Sequence, residues 1–268
     1  MKKFMNKIAN LIFCPIPLRI IFFRWLLKKL TFIPYPTRLH KEAVPRSYYG
    51  FPIFHALKLA KSLGYRKVSI IEFGVAGGNG LVNIEYHVKK IQKLIDIEVE
   101  IYGFDSANGL PKSQDYRDLP YFWQEGFYKM DIPKIKSRLK SAKLILGDVK
   151  ETSKTFSGAP IACVLIDLDY YFSTVAALEI FNKPHLPRVF CYFDDVAPFA
   201  GENCLYNEFT GELLAINEYN ARNTGRKITK YIGQNSSNKD NFYILHDFEH
   251  PKYNDYINSE DGSSCDLT

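Results

Sequence analysis

The stretch KVSIIEFGVAGGNG, residues 67–80, decides how this chain folds. Its first half, Lys67–Phe73, is a short β-branched run suited to a strand buried on both faces. Its second half gathers Gly74, Gly77, Gly78 and Gly80, residues needed where a backbone turns through positive φ or approaches a ligand closely. Leu81, Ile84, Val88, Ile91 and Ile95 then recur at helical spacing, so a helix is predicted over residues 81–94. The glycines do not follow the dinucleotide pattern G-x-G-x-x-G.

Outward from this unit the alternation continues. Strands are predicted at 98–104, 143–146, 161–167 and 188–193, with helices at 173–181 and 208–219. Two late strands, 227–232 and 242–246, are close in sequence and read as an antiparallel pair. The expectation is an α/β fold, a doubly wound, Rossmann-like, mostly parallel sheet with a C-terminal antiparallel strand pair. Such sheets bind ligands at the carboxyl ends of their strands. Residues 109–138, aromatic and polar, break the rhythm and read as a lid or inserted helix. Three regions follow: a basic, apolar segment 1–46, the main domain 47–250, and a tail 251–268.

The 268 residues are 46% apolar and 24% charged, which excludes a disordered chain or a disulfide miniprotein. Cys14, Cys163, Cys191, Cys204 and Cys265 are scattered without a CxxC pair, which suits a reducing, cytoplasmic setting and no zinc ribbon. Cys163 and Cys191 fall in predicted strands and read as buried apolar residues; no histidine spacing suggests zinc.

Charge is uneven. Residues 1–67 hold 14 Lys and Arg and one acid, Glu42, whereas the remaining 201 hold 21 bases and 28 acids. A polybasic stretch favours anionic lipid, nucleic acid or an acidic partner. Residues 8–34 are very apolar, yet Pro15, Pro17, Arg19, Arg24, Lys28 and Lys29 interrupt them too often for a membrane span of ~20 apolar residues. Lys2, Lys3 and Lys7 precede the run as in a secretory signal, but no small-x-small cleavage site follows. A helix is predicted over 18–30, with Arg24 and Lys28 on one face and Ile20, Ile21, Phe23, Trp25 and Leu27 as apolar surface. Two uses remain open: packing on the body or on a second subunit of a homo-oligomer, or peripheral contact with the inner face of a membrane.

The chemistry-bearing residues sit at strand ends. Glu72, Gly74, Val75, Ala76, Gly77 and Gly78 form the turn, and the following helix offers its free N–H groups. Asp105, with Ser106 after it, ends the second strand, where an acid accepts ribose hydroxyls. Asp148 follows the third strand, in reach of an adenine. There is no Walker lysine, and Glu72 suits the ammonium of a zwitterion better than a phosphate. These features point to S-adenosylmethionine rather than NAD. Beyond them, Asp167 and Asp169 end the fourth strand and Asp194 and Asp195 the fifth. Carboxylates packed together repel unless a cation holds them, and oxygen donors alone suit Mg²⁺ or Ca²⁺. The expected ligands are Asp167, Asp194 and Asp195, with Asp169 beside them. The bland alternative is solvated loop acids or a helix cap, since Asp169 precedes a helix.

In this order, EFGVAGGNG, GFDSANGLP, LGDVKET, IDLDYYFSTVAALEIF and FDDV resemble the class I S-adenosylmethionine-dependent methyltransferases, most closely the macrocin O-methyltransferase branch. Metal-dependent members of that branch methylate sugar hydroxyls. The resemblance spans Lys67 to Val196. It implies Glu72 and Gly74 in the cofactor turn, Asp105 at the ribose, Asp148 at the adenine, and Asp167, Asp194 and Asp195 on the metal. It further implies Mg²⁺-assisted O-methylation of a hydroxylated acceptor in glycan, glycolipid or natural-product biosynthesis, with Asp167 also in the cofactor site and Asp167 and Asp169 catalytic. Tyr116, Tyr121, Trp123 and Tyr170 are the candidate acceptor contacts. The sequence departs from the family in two places: HLPRVFCYFDDV lacks the usual glycine pair, and the lid carries Asp115, Asp118 and tyrosines where a candidate base histidine is expected. The base is therefore open among Asp169, Asp118 and the lid tyrosines. A metal-independent N- or O-methyltransferase, or a membrane-docked binding protein on the same scaffold, are the alternatives. The acidic body and the lack of an Asn-Pro-Pro-Tyr motif speak against a nucleic-acid acceptor.

Overall fold

The computed structural model describes residues 18–196, 207–231 and 241–257. The chain divides into two compact units, one ending at Ser47 and one beginning at Tyr48. Cys14, Cys204 and Cys265, Pro15 and Pro17, and the residues beyond 257 lie outside the described residues.

In the first unit, α1 (Leu18–Lys29) carries Lys28 and Lys29 in its last turn, where cations complement the helix dipole. A shorter helix, α2 (Tyr35–His40), begins with Pro36 at its second position, a place that tolerates a missing N–H. Arg24 on α1 pairs with Glu42 at 2.6 Å. Among the described residues no helix is long and apolar enough to cross a membrane.

The second unit opens with α3 (Ser47–Ser62), which buries Ile53, Phe54, Ala56, Leu57 and Ala60. It then follows the predicted alternation: β1 (Lys67–Phe73), α4 (Asn79–Ile91), β2 (Glu98–Asp105), α5 (Ile132–Arg138), β3 (Lys143–Leu146), α6 (Val149–Thr155), β4 (Ile161–Ile166), α7 (Tyr171–Leu178), β5 (His185–Phe193), α8 (Gly211–Arg222), β6 (Arg226–Lys230) and β7 (Phe242–Asp247). The seven strands form one sheet in the order β3-β2-β1-β4-β5-β7-β6. β1 to β5 are parallel, and β7 runs antiparallel to both its neighbours. β1 and β4 lie at the centre, and every residue of β4 is buried, as a strand covered on both faces demands. The core joins Ile71, Phe73, Phe104, Val164, Ile166 and Phe193, each worth about 1.5–3 kcal/mol once buried. Cys163 and Cys191 are buried within it, and burial pushes the Cys191 thiol up to about 12.

Register decides where the site falls. Phe73 pairs with Phe104 and Ile166, and Ile166 pairs with Phe193. Gly74, Asp105, Asp167 and Asp194 therefore leave the sheet at one level. Strand order reverses between β1 and β4, the crevice where doubly wound sheets take ligands.

Several boundaries differ from the sequence expectation. β5 begins at His185 rather than residue 188; its ladder to β4 shifts register, Ile161 facing His185 and Cys163 facing Phe190, around Pro187, which has no N–H to donate. The helix predicted at 173–181 is α7 plus a 3₁₀ turn, Glu179–Asn182. Two short helices, α5 and α6, gain their starts from the caps Asp131 and Asp148, which accept from the Lys134 and Lys150 N–H groups.

Candidate active site

The glycine turn is shaped by close approach. At Gly74 φ is +82°, and a Cβ would stand 1.7 Å from the Asp167 carbonyl oxygen, so only glycine lets the ends of β1 and β4 meet. A Cβ at Gly80 would stand 1.6 Å from Glu72 Oε1. The first turn of α4 thus rests on the buried Glu72 carboxyl. Gly78 caps α4 in a left-handed conformation, while Gly77 is exposed, with nothing within 4 Å of a Cβ built there. Ala76 also takes positive φ, +43°.

Asp105 holds this turn in place. Its Oδ2 accepts from the Val75 and Ala76 N–H groups, both at 2.9 Å, and its Oδ1 accepts from the Ala107 N–H at 2.6 Å. Three of the roughly four lone-pair sites of the carboxylate are used, which orients the group and leaves it room for a hydroxyl donor. Ser106 is exposed and donates to the Gly109 carbonyl. Asp148 is exposed as well and spends one oxygen capping α6, accepting from the Lys150 N–H at 2.9 Å.

The acidic cluster forms, with one change of membership. One oxygen each from Asp167, Asp169 and Asp195 lies within 4.8 Å of the others. Asp169 and Asp195 are buried, and Asp169 takes a left-handed backbone, φ +61°. The Asp194 Oδ1 accepts from the Tyr192 hydroxyl at 2.6 Å. The sequence pointed to Asp167, Asp194 and Asp195 as ligands with Asp169 beside them; the structure groups Asp167, Asp169 and Asp195, with Asp194 near enough to add to the negative charge felt by Asp169. Burial, then the neighbouring Asp195 and Asp167, push the Asp169 carboxyl well above its usual range.

Glu212 went unnoticed in the sequence, where it reads as one acid in a helix. It is fully buried on α8, and it accepts from two backbone groups, the Leu168 N–H at 3.2 Å and the Asp195 N–H at 3.0 Å. One side chain therefore ties the loop after β4 to the loop after β5. Burial and Asp195 raise its proton affinity. Asn241 supports the same rim, its amide donating to the Phe193 and Asp194 carbonyls.

Within residues 109–138, read from sequence as a lid or inserted helix, the chain carries a 3₁₀ turn, Tyr116–Asp118, and α5. Arg117 pairs with Asp115 at 2.8 Å and lies over the Tyr171 and Phe172 rings at 4.6 and 4.5 Å. Asp118 is buried and accepts from the Gln114 N–H at 2.9 Å and the Phe172 N–H at 3.2 Å, capping α7 from outside the helix. Both its oxygens are thus occupied as a strap. Of the candidate acceptor contacts, Tyr116 and Tyr121 are each 65% exposed. Trp123 is half-buried against Phe122, and Tyr170 is buried at the N-cap of α7. The Trp123 indole N–H and the Tyr170 hydroxyl are buried polar atoms without a hydrogen-bond partner among the described residues.

Solved structures share this architecture. The O-methyltransferase NovP superposes with a TM-score of 0.53 at 14% identity, covering 74% of this chain and 78% of that one. The calicheamicin methyltransferase CalS11 superposes with a TM-score of 0.51 at 18% identity, covering 90% of each chain. No family model and no curated protein matches the sequence. The chain shares its fold with these two methyltransferases: a seven-stranded, mostly parallel sheet that ends in an antiparallel pair.

Proposed function

We propose that this protein moves a methyl group from S-adenosylmethionine to a hydroxyl oxygen of a small, sugar-like acceptor, with Mg²⁺ held at the acidic rim. The observation that carries this is the meeting of three carboxylate oxygens, from Asp167, Asp169 and Asp195, one strand away from the glycine turn that Asp105 braces. Two superposable proteins are named as methyltransferases, one of them an O-methyltransferase, which supports the same chemistry here.

The donor set suits the ion. All the donors are hard carboxylate oxygens, two of them on buried residues, and a divalent cation would offset the burial and the repulsion that push Asp169 toward its protonated form. Asp167 and Asp195 would hold it, with remaining positions for water and acceptor oxygens. When bound, such an ion supplies Lewis acidity that lowers the pKa of an acceptor hydroxyl.

The chain's own residues do the rest. Asp105 orients the ribose, and Glu72, beneath the first turn of α4, receives the amino group of the methionine moiety. Gly77 leaves the space above the turn open. The Tyr170 hydroxyl and the Trp123 indole N–H, both without hydrogen-bond partners among the described residues, bond acceptor oxygens and set them in line with the sulfonium methyl. As the acceptor oxygen bonds the methyl carbon, the carbon–sulfur bond breaks and S-adenosylhomocysteine leaves. Asp169 takes the hydroxyl proton.

Calorimetry with S-adenosylhomocysteine tests the first half: micromolar binding is expected for the wild type and at least about tenfold weaker binding for Asp105→Asn. Transfer of labelled methyl to simple glycosides and nucleoside-diphosphate sugars tests the second. Turnover should vanish with EDTA, return with Mg²⁺, and fall by about 10²-fold or more in Asp169→Asn. A wild type that binds no S-adenosylhomocysteine removes the proposal, and turnover indifferent to EDTA removes the ion.

A further inference from the structure

We infer that α1 is a docking face for an anionic lipid surface. On this 12-residue helix Phe22, Phe23 and Trp25 are 57%, 59% and 55% exposed, and Phe32, just beyond its end, is 81% exposed. Phe22 stacks on Trp25 at 6.1 Å and meets Phe23 edge-on at 6.1 Å, so the rings form one continuous patch. Phe22, Trp25 and Lys29 are three and four residues apart and share a side. A folded protein scatters single apolar groups over its surface; a contiguous aromatic patch marks something that covers it.

Charge selects what covers it. The only acid in the first 67 residues, Glu42, is taken by Arg24 at 2.6 Å. The pairing removes Arg24 from the cationic face expected from sequence, and it occupies the one acid that the first 67 residues carry. Lys28 and Lys29 are exposed at the end of the helix. A second copy would offer these lysines no free acid from its own first 67 residues, because Glu42 is already paired there. A bilayer containing anionic lipid meets both demands: the rings enter the headgroup boundary, where aromatic residues are favoured, and the lysines extend alongside them to the phosphates. Docking is independent of the methyl transfer proposed above.

Co-sedimentation of the full chain with vesicles tests this. Vesicles of equal parts phosphatidylcholine and phosphatidylglycerol should bind it at least about tenfold more tightly than phosphatidylcholine alone, and salt should weaken the binding. Phe22→Ser with Trp25→Ser, and separately Lys28→Glu with Lys29→Glu, should each reduce anionic-vesicle binding about tenfold or more, with the thermal melt unchanged because all four side chains are exposed. Failure of the wild type to sediment with the anionic vesicles overturns the inference. So does a wild-type dimer in light scattering that the aromatic pair of substitutions converts to monomer, because a second copy would then own the face.

Discussion

Gly74 and Gly77 separate two reasons for a glycine within one turn. Gly74→Ala must place a methyl 1.7 Å from the Asp167 carbonyl at φ +82°, and it is expected to cost roughly 3 kcal/mol or more in chemical denaturation. Gly77→Ala meets nothing within 4 Å, so stability should stay within about 0.5 kcal/mol. Its methyl enters the ligand space, and S-adenosylhomocysteine affinity should drop about tenfold, a split that calorimetry and denaturation read together. A pH-dependent contribution sits across the sheet at Glu100. The Ala159 N–H, with Lys67, Tyr102 and Lys143 around the carboxylate, holds its pKa down at about 2 against partial burial, from an ordinary 4.5. Because the folded value is the lower one, the stabilisation is present above pH 4.5 and lost as pH falls toward 2. Glu100→Gln should therefore cost roughly 1 kcal/mol at neutral pH, allowing for partial exposure, and nearly nothing near pH 2. At this scale the glycines and Asp105 were legible in sequence, because turn chemistry is local. The exchange of Asp194 for Asp169 was not. Two adjacent acids look alike in sequence, and only the fold has Tyr192 donating to Asp194 while Asp195 joins Asp167 and Asp169.

Elements meet at the rim through two buried carboxylates. Asp118 caps α7 from the inserted segment, and Asp118→Asn is expected to cost about 1–2 kcal/mol and to speed proteolysis within residues 109–131, since one backbone N–H then faces an amide donor. Glu212 does the same for the loops after β4 and β5. Glu212→Gln keeps one acceptor and sets an NH₂ against the other N–H, so binding of Mn²⁺ as a probe should weaken about tenfold while S-adenosylhomocysteine affinity holds. The strands were readable because β1, β3 and β4 are short apolar runs bounded by turn signals. The short helices α5 and α6 were not, since seven residues give too few turns for a period to show. Glu212 was hidden for another reason: its partners, Leu168 and Asp195, lie 44 and 17 residues away along the chain.

For the whole molecule, the division at Ser47 also separates charge. A chain beginning at Tyr48 carries 25 bases and 28 acids, against a net +6 for the full chain. At neutral pH the shortened chain is expected to bind an anion exchanger and the full chain a cation exchanger. The shortened chain should lose vesicle binding and keep S-adenosylhomocysteine binding; simultaneous loss of both would mean that the second unit needs the first to fold. Composition announced this polarity before any coordinate did, because charge counts need no geometry. The exposed rings of α1 and the Arg24–Glu42 pair, by contrast, were visible only in the fold.

The placement of β7 has a consequence for biosynthesis. It is the last strand of the described chain, yet it lies between β5 and β6, with Cys191 facing Tyr243 on one side and Ile228 facing Leu245 on the other. β6, translated earlier, has no other neighbour in the sheet among the described residues. While the ribosome is still adding residues before Phe242, the flank of β5 stays open and β6 waits unzipped. A stalled or clipped nascent chain would thus present a sticky, half-built edge, and quality control has a defined target there until one late hairpin closes it.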